Sequence, residues 1–221
     1  MEDYIEVINN SQLFAGVTEA ETKSMLQCLS ATTKEFVKNS YILRCGDLVS
    51  SVCLVLAGSV LLVKEDYWGN QNIVTRIQAG QIFAETYACV EGQPLGVSAV
   101  AAEKTRVLYL DVHRILSTCP TACGFHTRMI RNLMSILAYK NLIFNEKITH
   151  LSQRTTRSKL LSYLSAEAAR CGSASFDIAF NRQQLADYLS VDRSAMSNEL
   201  CKMRDEGLLR FARNHFELSG Q

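Results

Sequence analysis

Hydrophobic positions change their spacing several times along the chain. Near the N-terminus Leu13 and Phe14 precede Thr18, and Met25, Leu26 and Leu29 follow at helical steps, so Thr18 is placed to cap a short helix. From about Phe36 to Leu110 the runs become short and rich in Val, Ile and Leu, punctuated by Gly46, Gly58, Gly69, Gly80, Gly92 and Gly96. "SVCLVLAGSVLLV" predicts two buried strands joined at Ala57-Gly58-Ser59, and "NIVTRI", "SAVAAE" and "RVLYL" predict more. Strands buried on both faces suit a closed sandwich or roll. Asp111 is placed to cap a short helix, "VHRILST", and Pro120 to start another. Then Met129, Ile130, Leu133, Ile136, Leu137, Ile143, Phe144 and Ile148 recur at three- and four-residue steps. That stripe predicts a helix of about 30 residues, roughly 45 Å long, which exceeds the width of a small domain. The part of the stripe that the roll does not cover needs another partner, most simply a second copy of the chain.

After Leu151-Ser152 the pattern resets. "RTTRSKLLSYLSAEAAR" predicts a helix with Leu160, Leu161 and Leu164 inward, and 176–180 alternates like a strand. "NRQQLADYLSVDRSAMSNEL" then reads as two short helices around Ser190-Val191-Asp192. Asn181 with Gln184 forms a capping-box pattern, and Asp192 is placed to cap the second helix. Leu185, Ala186 and Leu189 face inward on the first helix, and Met196 and Leu200 anchor the second. The open side of that second helix carries Arg193, Ser194, Ser197 and Asn198, residue types that hydrogen-bond base edges. "GLLRFARNHFEL" predicts a hairpin turning near Arg213-Asn214, with Asn expected to take the positive φ. A strand before and a hairpin after two such helices is the layout of a winged helix-turn-helix.

Composition narrows this only slightly. The net charge is +1; ten Lys/Arg against eight Asp/Glu from Ser152 onward make the C-terminal part weakly basic, which suits nucleic acid among other partners. The N-terminus "MEDYIEVINN" has no apolar core, and no apolar run reaches the ~20 residues of a membrane helix. Eight cysteines scattered among apolar residues fit reduced thiols in a cytoplasmic protein. No nucleophile motif, phosphate loop or carboxylate pair in a defined setting points to an enzyme, and no cofactor is expected.

Four segments carry a resemblance to the Crp/Fnr family of bacterial transcription regulators: "LFAGVTEAE", "GQIFAE" with Gly80 and Glu85, "LSQRTTRSKLLSYL", and "NRQQLADYLSVDRSAMSNELCKMRDEGLL". It spans about residues 10 to 218, and the last segment is the most specific. The resemblance implies an α+β chain. Residues 1–118 would form an N-terminal double-stranded β-helix (a jelly-roll-like, cupin-like β roll), 119–151 a long dimerisation helix, and 152–221 a winged helix-turn-helix. It also implies a homodimer that binds double-stranded DNA, works with RNA polymerase, and reorients its reading helices when an effector binds.

Carried over by position, Arg193 matches a guanine-reading arginine, and Ser194 and Asn198 depart from the family's usual Glu and Arg. Arg182 matches a phosphate-contacting position, and Lys202, Arg210 and Arg213 are candidates for further phosphate contacts. In the cyclic-nucleotide-binding members an Arg-Ser pair grips the cyclic phosphate. Leu95-Gly96 stands there in this chain, while Glu85 is kept. A buried phosphate without a cation is disfavoured, so cyclic AMP is not the expected effector. A small organic effector is expected instead, between roll and long helix, with Glu85, Tyr87, Cys89, Leu95, Gly96, Val97, Arg128 and Asn132 as candidate lining residues. The cluster-bearing pattern of oxygen-sensing members is absent, because no cysteine precedes Cys28. The alternative is a redox-, metal- or haem-responsive regulator using Cys119, Cys123 and His126, whose spacing stacks them on neighbouring helical turns.

Overall fold

The computed structural model describes residues 2–65, 71–117 and 124–219. The chain divides into two compact units between Tyr139 and Lys140, inside its longest helix.

In the first unit two helices, α1 (Ile5–Asn9) and α2 (Glu19–Cys28), precede the strands. Thr18 caps α2 as its sequence suggests. Its hydroxyl accepts from the Glu21 N–H at 3.3 Å, and the Glu21 carboxylate accepts from the Thr18 N–H at 2.8 Å. Eight strands follow: β1 (Thr32–Phe36), β2 (Tyr41–Leu43), β3 (Ser51–Ala57), β4 (Ser59–Glu65), β5 (Gln71–Gln78), β6 (Ile82–Phe83), β7 (Ser98–Ala101) and β8 (Thr105–Asp111). They form two antiparallel sheets, ordered β1-β8-β3-β6 and β2-β7-β4-β5.

The run in β3 explains why both of its faces are apolar. Val52, Leu54 and Leu56 point to one side, into a core shared with Leu13, Phe14, Met25 and the long helix. Cys53 and Val55 alternate to the other side, against Val60, Ile77 and Ala99 of the second sheet. Each fully buried Leu or Val contributes about 1.5–3 kcal/mol. β1 escapes the hydrophobic pattern because four of its five residues are exposed; pairing with β8 and the Arg106–Glu35 ion pair at 2.6 Å hold it.

Two short helices, α3 (Glu85–Ala88) and α4 (Val112–Leu116), flank the sheets, and the Asp111 side chain caps α4. The long helix, α5 (Gly124–Leu151), follows. Within the first unit Met129, Leu133 and Ile136 bury one face of it in the core.

The second unit begins with the last turns of α5. His150 is buried there: its Nδ1 is 2.8 Å from the Ser162 hydroxyl, and its ring meets Tyr163 edge-on. α6 (Thr156–Cys171) starts at a Thr155 cap and ends at Gly172, whose φ is +62°. Leu160 and Leu164 are buried as expected, but Leu161 is 38% exposed. One step of 100° carries it off the inward face, where Tyr163 and Glu167 are buried instead. Then come β9 (Ser175–Asp177), α7 (Arg182–Leu189), α8 (Arg193–Asp205), β10 (Leu209–Ala212) and β11 (His215–Leu218). The three strands form a sheet ordered β10-β11-β9. β9 is shorter than the alternation over 176–180 suggested: the Ile178 N–H still bonds in register to the Asn214 carbonyl at 2.9 Å, but Asn214 belongs to the turn between β10 and β11, so the partner strand ends there.

Candidate nucleic-acid interface and effector site

The interface is built from the two caps outward. Asn181 accepts from the Gln184 N–H at 2.9 Å while Gln184 accepts from the Asn181 N–H at 2.8 Å, which fixes the start of α7. α7 ends at Ser190 with φ +50°. The Lys159 ammonium donates to the Leu189 carbonyl at 3.0 Å, placing a cation at a helix C-terminus where the dipole favours it. Sequence spacing gave no sign of that contact, since 30 residues separate the partners. Asp192 caps α8 by accepting from the Ala195 N–H at 2.8 Å. Hydrogen bonds from the Ser194 hydroxyl and from backbone N–H groups hold its carboxyl below the usual carboxylate range.

Met196, Leu200 and Met203 are fully buried against Leu185, Ala186 and Leu189, so the register of α8 is set. That register leaves Arg193, Ser194, Asn198 and Lys202 exposed and Ser197 half-buried. Ser194 spends its hydroxyl on Asp192, and Ser197 spends its own on the Arg193 carbonyl at 2.9 Å. Lys202 lies 4.0 Å from Glu199, whose other neighbour is Arg157 at 3.4 Å. Arg193 and Asn198 make no side-chain hydrogen bond or ion pair with described residues; their donors face outward from the first turns of α8.

The hairpin of β10 and β11 is the wing, with Leu209 opposite Leu218 and Ala212 opposite His215. The positive φ at its tip belongs to Arg213, at +53°, and not to Asn214 as expected. Arg210 and Arg213 are exposed. Arg182, expected at a phosphate, has its guanidinium over the rings of Phe211 and Phe216, 4.8 Å from each centroid. Its Nη2 is buried and has no hydrogen-bond partner, and burial holds the guanidinium below its ordinary pKa.

At the other candidate site Ala84 takes φ +63° and Glu85 is buried directly after it. Burial, then the nearby Glu85 charge, pushes the thiols of Cys53 and Cys89 up. Leu95 is clipped at both ends: its N–H donates to the Asp47 carbonyl at 2.9 Å, and its carbonyl accepts from Gly46 at 2.8 Å. A Cβ on Gly96 would lie 2.9 Å from the Tyr87 hydroxyl oxygen. Val97 is half-buried. Of the expected lining residues, Cys89 borders an open cavity of about 420 Å³, together with Ala88, Val112 and His113. Arg128 and Asn132 lie elsewhere. Arg128 donates to the Gly16 carbonyl and sits 4.0 Å from Glu21; Asn132 donates to the carbonyls of Leu13 at 3.0 Å and Ala15 at 2.9 Å. Both side chains are committed to tying the loop before α2 to α5.

Cys119 and Cys123 lie outside the described residues. His126 is buried, with Nδ1 unpartnered and Nε2 3.9 Å from the Cys28 sulfur. Among the described residues no three His, Cys, Asp or Glu side chains gather as a metal site, and no helix is long and apolar enough to cross a membrane.

A family model for the cyclic nucleotide-binding domain matches residues 33–121, and one for the Crp-like helix-turn-helix domain matches residues 158–219. No curated protein matches the chain. Among solved structures it is similar to CLP of Xanthomonas campestris, described as a c-di-GMP-responsive global regulator. The identity is 16%, the match covers 90% of this chain and 100% of that one, and the TM-score is 0.56. CprK in complex with OCPA is similar at 14% identity, covering 89% of this chain and 91% of that one, with a TM-score of 0.63. DNR from Pseudomonas aeruginosa is similar at 17% identity, covering 100% and 96%, with a TM-score of 0.50. At these identities the likeness speaks for the fold.

Proposed function

We infer that this chain, which belongs to the Crp/Fnr family of transcription regulators, acts as a cytoplasmic homodimer that lays α8 of each copy into successive major grooves of a duplex. The family and fold are those of DNA-binding regulators and not of enzymes. The observation that carries the finer reading is the first turns of α8: Arg193 and Asn198 are exposed, and their donors are uncommitted. Arg193 pairs with a guanine and Asn198 with a neighbouring base edge, while Lys202, Arg210 and Arg213 meet phosphates. Ser194 and Ser197 hold the helix start and contribute less to base reading. RNA polymerase is the further partner that family membership brings to the proposal.

The second copy is supported by a seam along α5. Ile130, Met134, Leu137, Asn141, Phe144 and Ile148 recur at alternating steps of four and three, and Met134, Phe144 and Ile148 are 65%, 61% and 62% exposed. That is a heptad seam, with Asn141 the one polar residue on it.

The effector is a small organic molecule other than a cyclic nucleotide. Leu95-Gly96 offers no cation, and the Tyr87 hydroxyl closes on Gly96. Glu85 and Cys89 are the groups nearest such a ligand. One observation favours the metal- or redox-responsive alternative, the buried and unpartnered Nδ1 of His126. Cobalt(II) titration checks it through a thiolate-to-metal absorption band that disappears in His126→Ala.

Duplex selection followed by a salt titration tests the main reading. Binding should weaken linearly on a log–log plot as salt rises. Arg193→Ala should cost about 1–3 kcal/mol on the selected site and relax specificity at one guanine position. Equal affinity of both proteins for selected and random duplex would rule out the base-reading role.

A further inference from the structure

Arg182 is the first residue of α7, and three features of that place work against a cation. The helix dipole is positive at its N-terminus, so a positive charge there is repelled. The side chain is half-buried, which lowers its pKa. Nη2 is closed off from solvent without an acceptor. A phosphate contact does not account for Nη2, which is closed off from solvent and so from a phosphate oxygen.

What compensates is aromatic. The guanidinium carbon lies 4.8 Å from the ring centres of both Phe211 and Phe216, and those rings are 6.0 Å from each other. A second cation, Arg204 in the last turn of α8, lies 5.9 Å from Phe211. A planar guanidinium stacks on ring faces in a way that an ammonium does not.

The sheet order shows what this grip holds. In β10-β11-β9 the strand β10 is an edge, and among the described residues its one partner strand is β11. β11 is secured by its pairing with β9, where Phe216 faces Phe176 and His215 lies 3.1 Å from Asp177. β10 carries Arg210 and Phe211, and the tip residue Arg213 follows directly after its end.

We propose that Arg182 is the positioning residue of the wing, fastening Phe211 and Phe216 to the start of α7 so that Arg210 and Arg213 are presented to the duplex. The proposal rests on the DNA-binding reading above and deepens it.

The test uses the full-length chain and a duplex chosen by selection. Arg182→Lys keeps the charge and loses the planar stack; Arg182→Leu loses both; Phe211→Leu removes a ring from the other side. A fastening role predicts that all three weaken specific binding to a similar extent, roughly tenfold on the scale of a desolvated cation–π contact, without loss of the thermal transition. It also predicts that Arg213→Ala costs less in the Arg182→Leu background than in the wild type, because a loosened wing already presents Arg213 poorly. Nuclear magnetic resonance supplies a readout independent of DNA. The Arg182 Nε–H and Cδ protons should be shifted upfield by the two rings, and the shift should collapse in Phe211→Leu. Wild-type affinity in Arg182→Lys, or an equal Arg213→Ala cost in both backgrounds, overturns the proposal in favour of a direct phosphate contact. If the wild-type chain binds no duplex at all, the DNA-binding reading fails. The ring-current shift then decides on the fastening alone: its presence supports the grip and its absence overturns it.

Discussion

At Gly58 the chain leaves one sheet for the other within a single residue, with φ +76°. A Cβ there would sit 2.5 Å from the Lys104 carbonyl oxygen and 2.7 Å from the Thr105 hydroxyl oxygen. Those neighbours cannot retreat, because the Thr105 hydroxyl donates to the Ser59 carbonyl at 3.0 Å and the Ser59 hydroxyl to Glu103 at 2.6 Å. Gly58→Ala should therefore destabilise the first unit by about 2–4 kcal/mol, combining left-handed strain with a clash; urea unfolding measures it. A glycine joint was legible in the sequence, but the reason for it was not: the crossing depends on Lys104 and Thr105, more than 40 residues away. The same limit applies at the wing tip. Asn tolerates a positive φ best, so local propensity favours Asn214, yet the register Ala212–His215 puts the left-handed residue at Arg213. Arg182 is the strongest such case. Its position on α7 was readable, but its use depends on two rings contributed by a hairpin 29 and 34 residues on.

At the scale of elements, periodicity was read well where one face meets one core. The described part of α5, α7, α8 and the caps Thr18, Asp111, Asn181 and Asp192 stand as the spacing implied, because the buried stripe and the capping residue are local signals; the start expected at Pro120 lies outside the described residues. It failed for β1, whose place is set by pairing with β8 and not by apolar content. α5 itself makes two predictions. On the heptad seam Asn141 costs stability and enforces register, so Asn141→Ile should tighten self-association while admitting species larger than a dimer. Sedimentation equilibrium separates this from an unchanged dimer, which would remove Asn141 from the seam. At the other end, burial holds the His150 imidazole below its ordinary pKa, and Glu146 and Glu167 pull it back in part. Lys147, Tyr163 and Tyr188 also face this region, along with Ser162. The unfolded chain protonates His150 near the free value, about 6.5, before the folded chain does. Stability is therefore unaffected above that pH and falls as pH drops below it. Thermal melts from pH 7.5 to 5.5 should show a shallower decline in His150→Gln than in wild type, whatever the offset between them. Parallel declines would show that His150 titrates normally.

For the whole molecule the question is which chemical signal the first unit converts into DNA binding, and the cyclic-nucleotide fold does not answer it alone. A cyclic phosphate buried in a roll needs a cation and donors around its oxygens. At the place where the resemblance puts them, the chain has Leu95, buried and held by Asp47 and Gly46, and Gly96, with the Tyr87 hydroxyl closed onto it. Arg128 cannot substitute from the helix side while its guanidinium is bonded to Gly16 beside Glu21. Burial and the Glu85 charge also keep the Cys89 thiol neutral, so the described surroundings favour ligand hydroxyl or amine groups over anions. A ligand present at a hundred times its Kd stabilises the folded state by about 2.7 kcal/mol, which for a chain of this size is a melting shift of roughly 5–10 °C. Cyclic AMP at millimolar concentration should produce no such shift, nor any change in duplex affinity. A saturable shift would mean that the chain has found a cation for the phosphate, and the candidate within the first unit is Arg128 released from Gly16. Repeating the melt with Arg128→Gln then separates a rearranged roll, whose shift disappears, from a site elsewhere, whose shift persists.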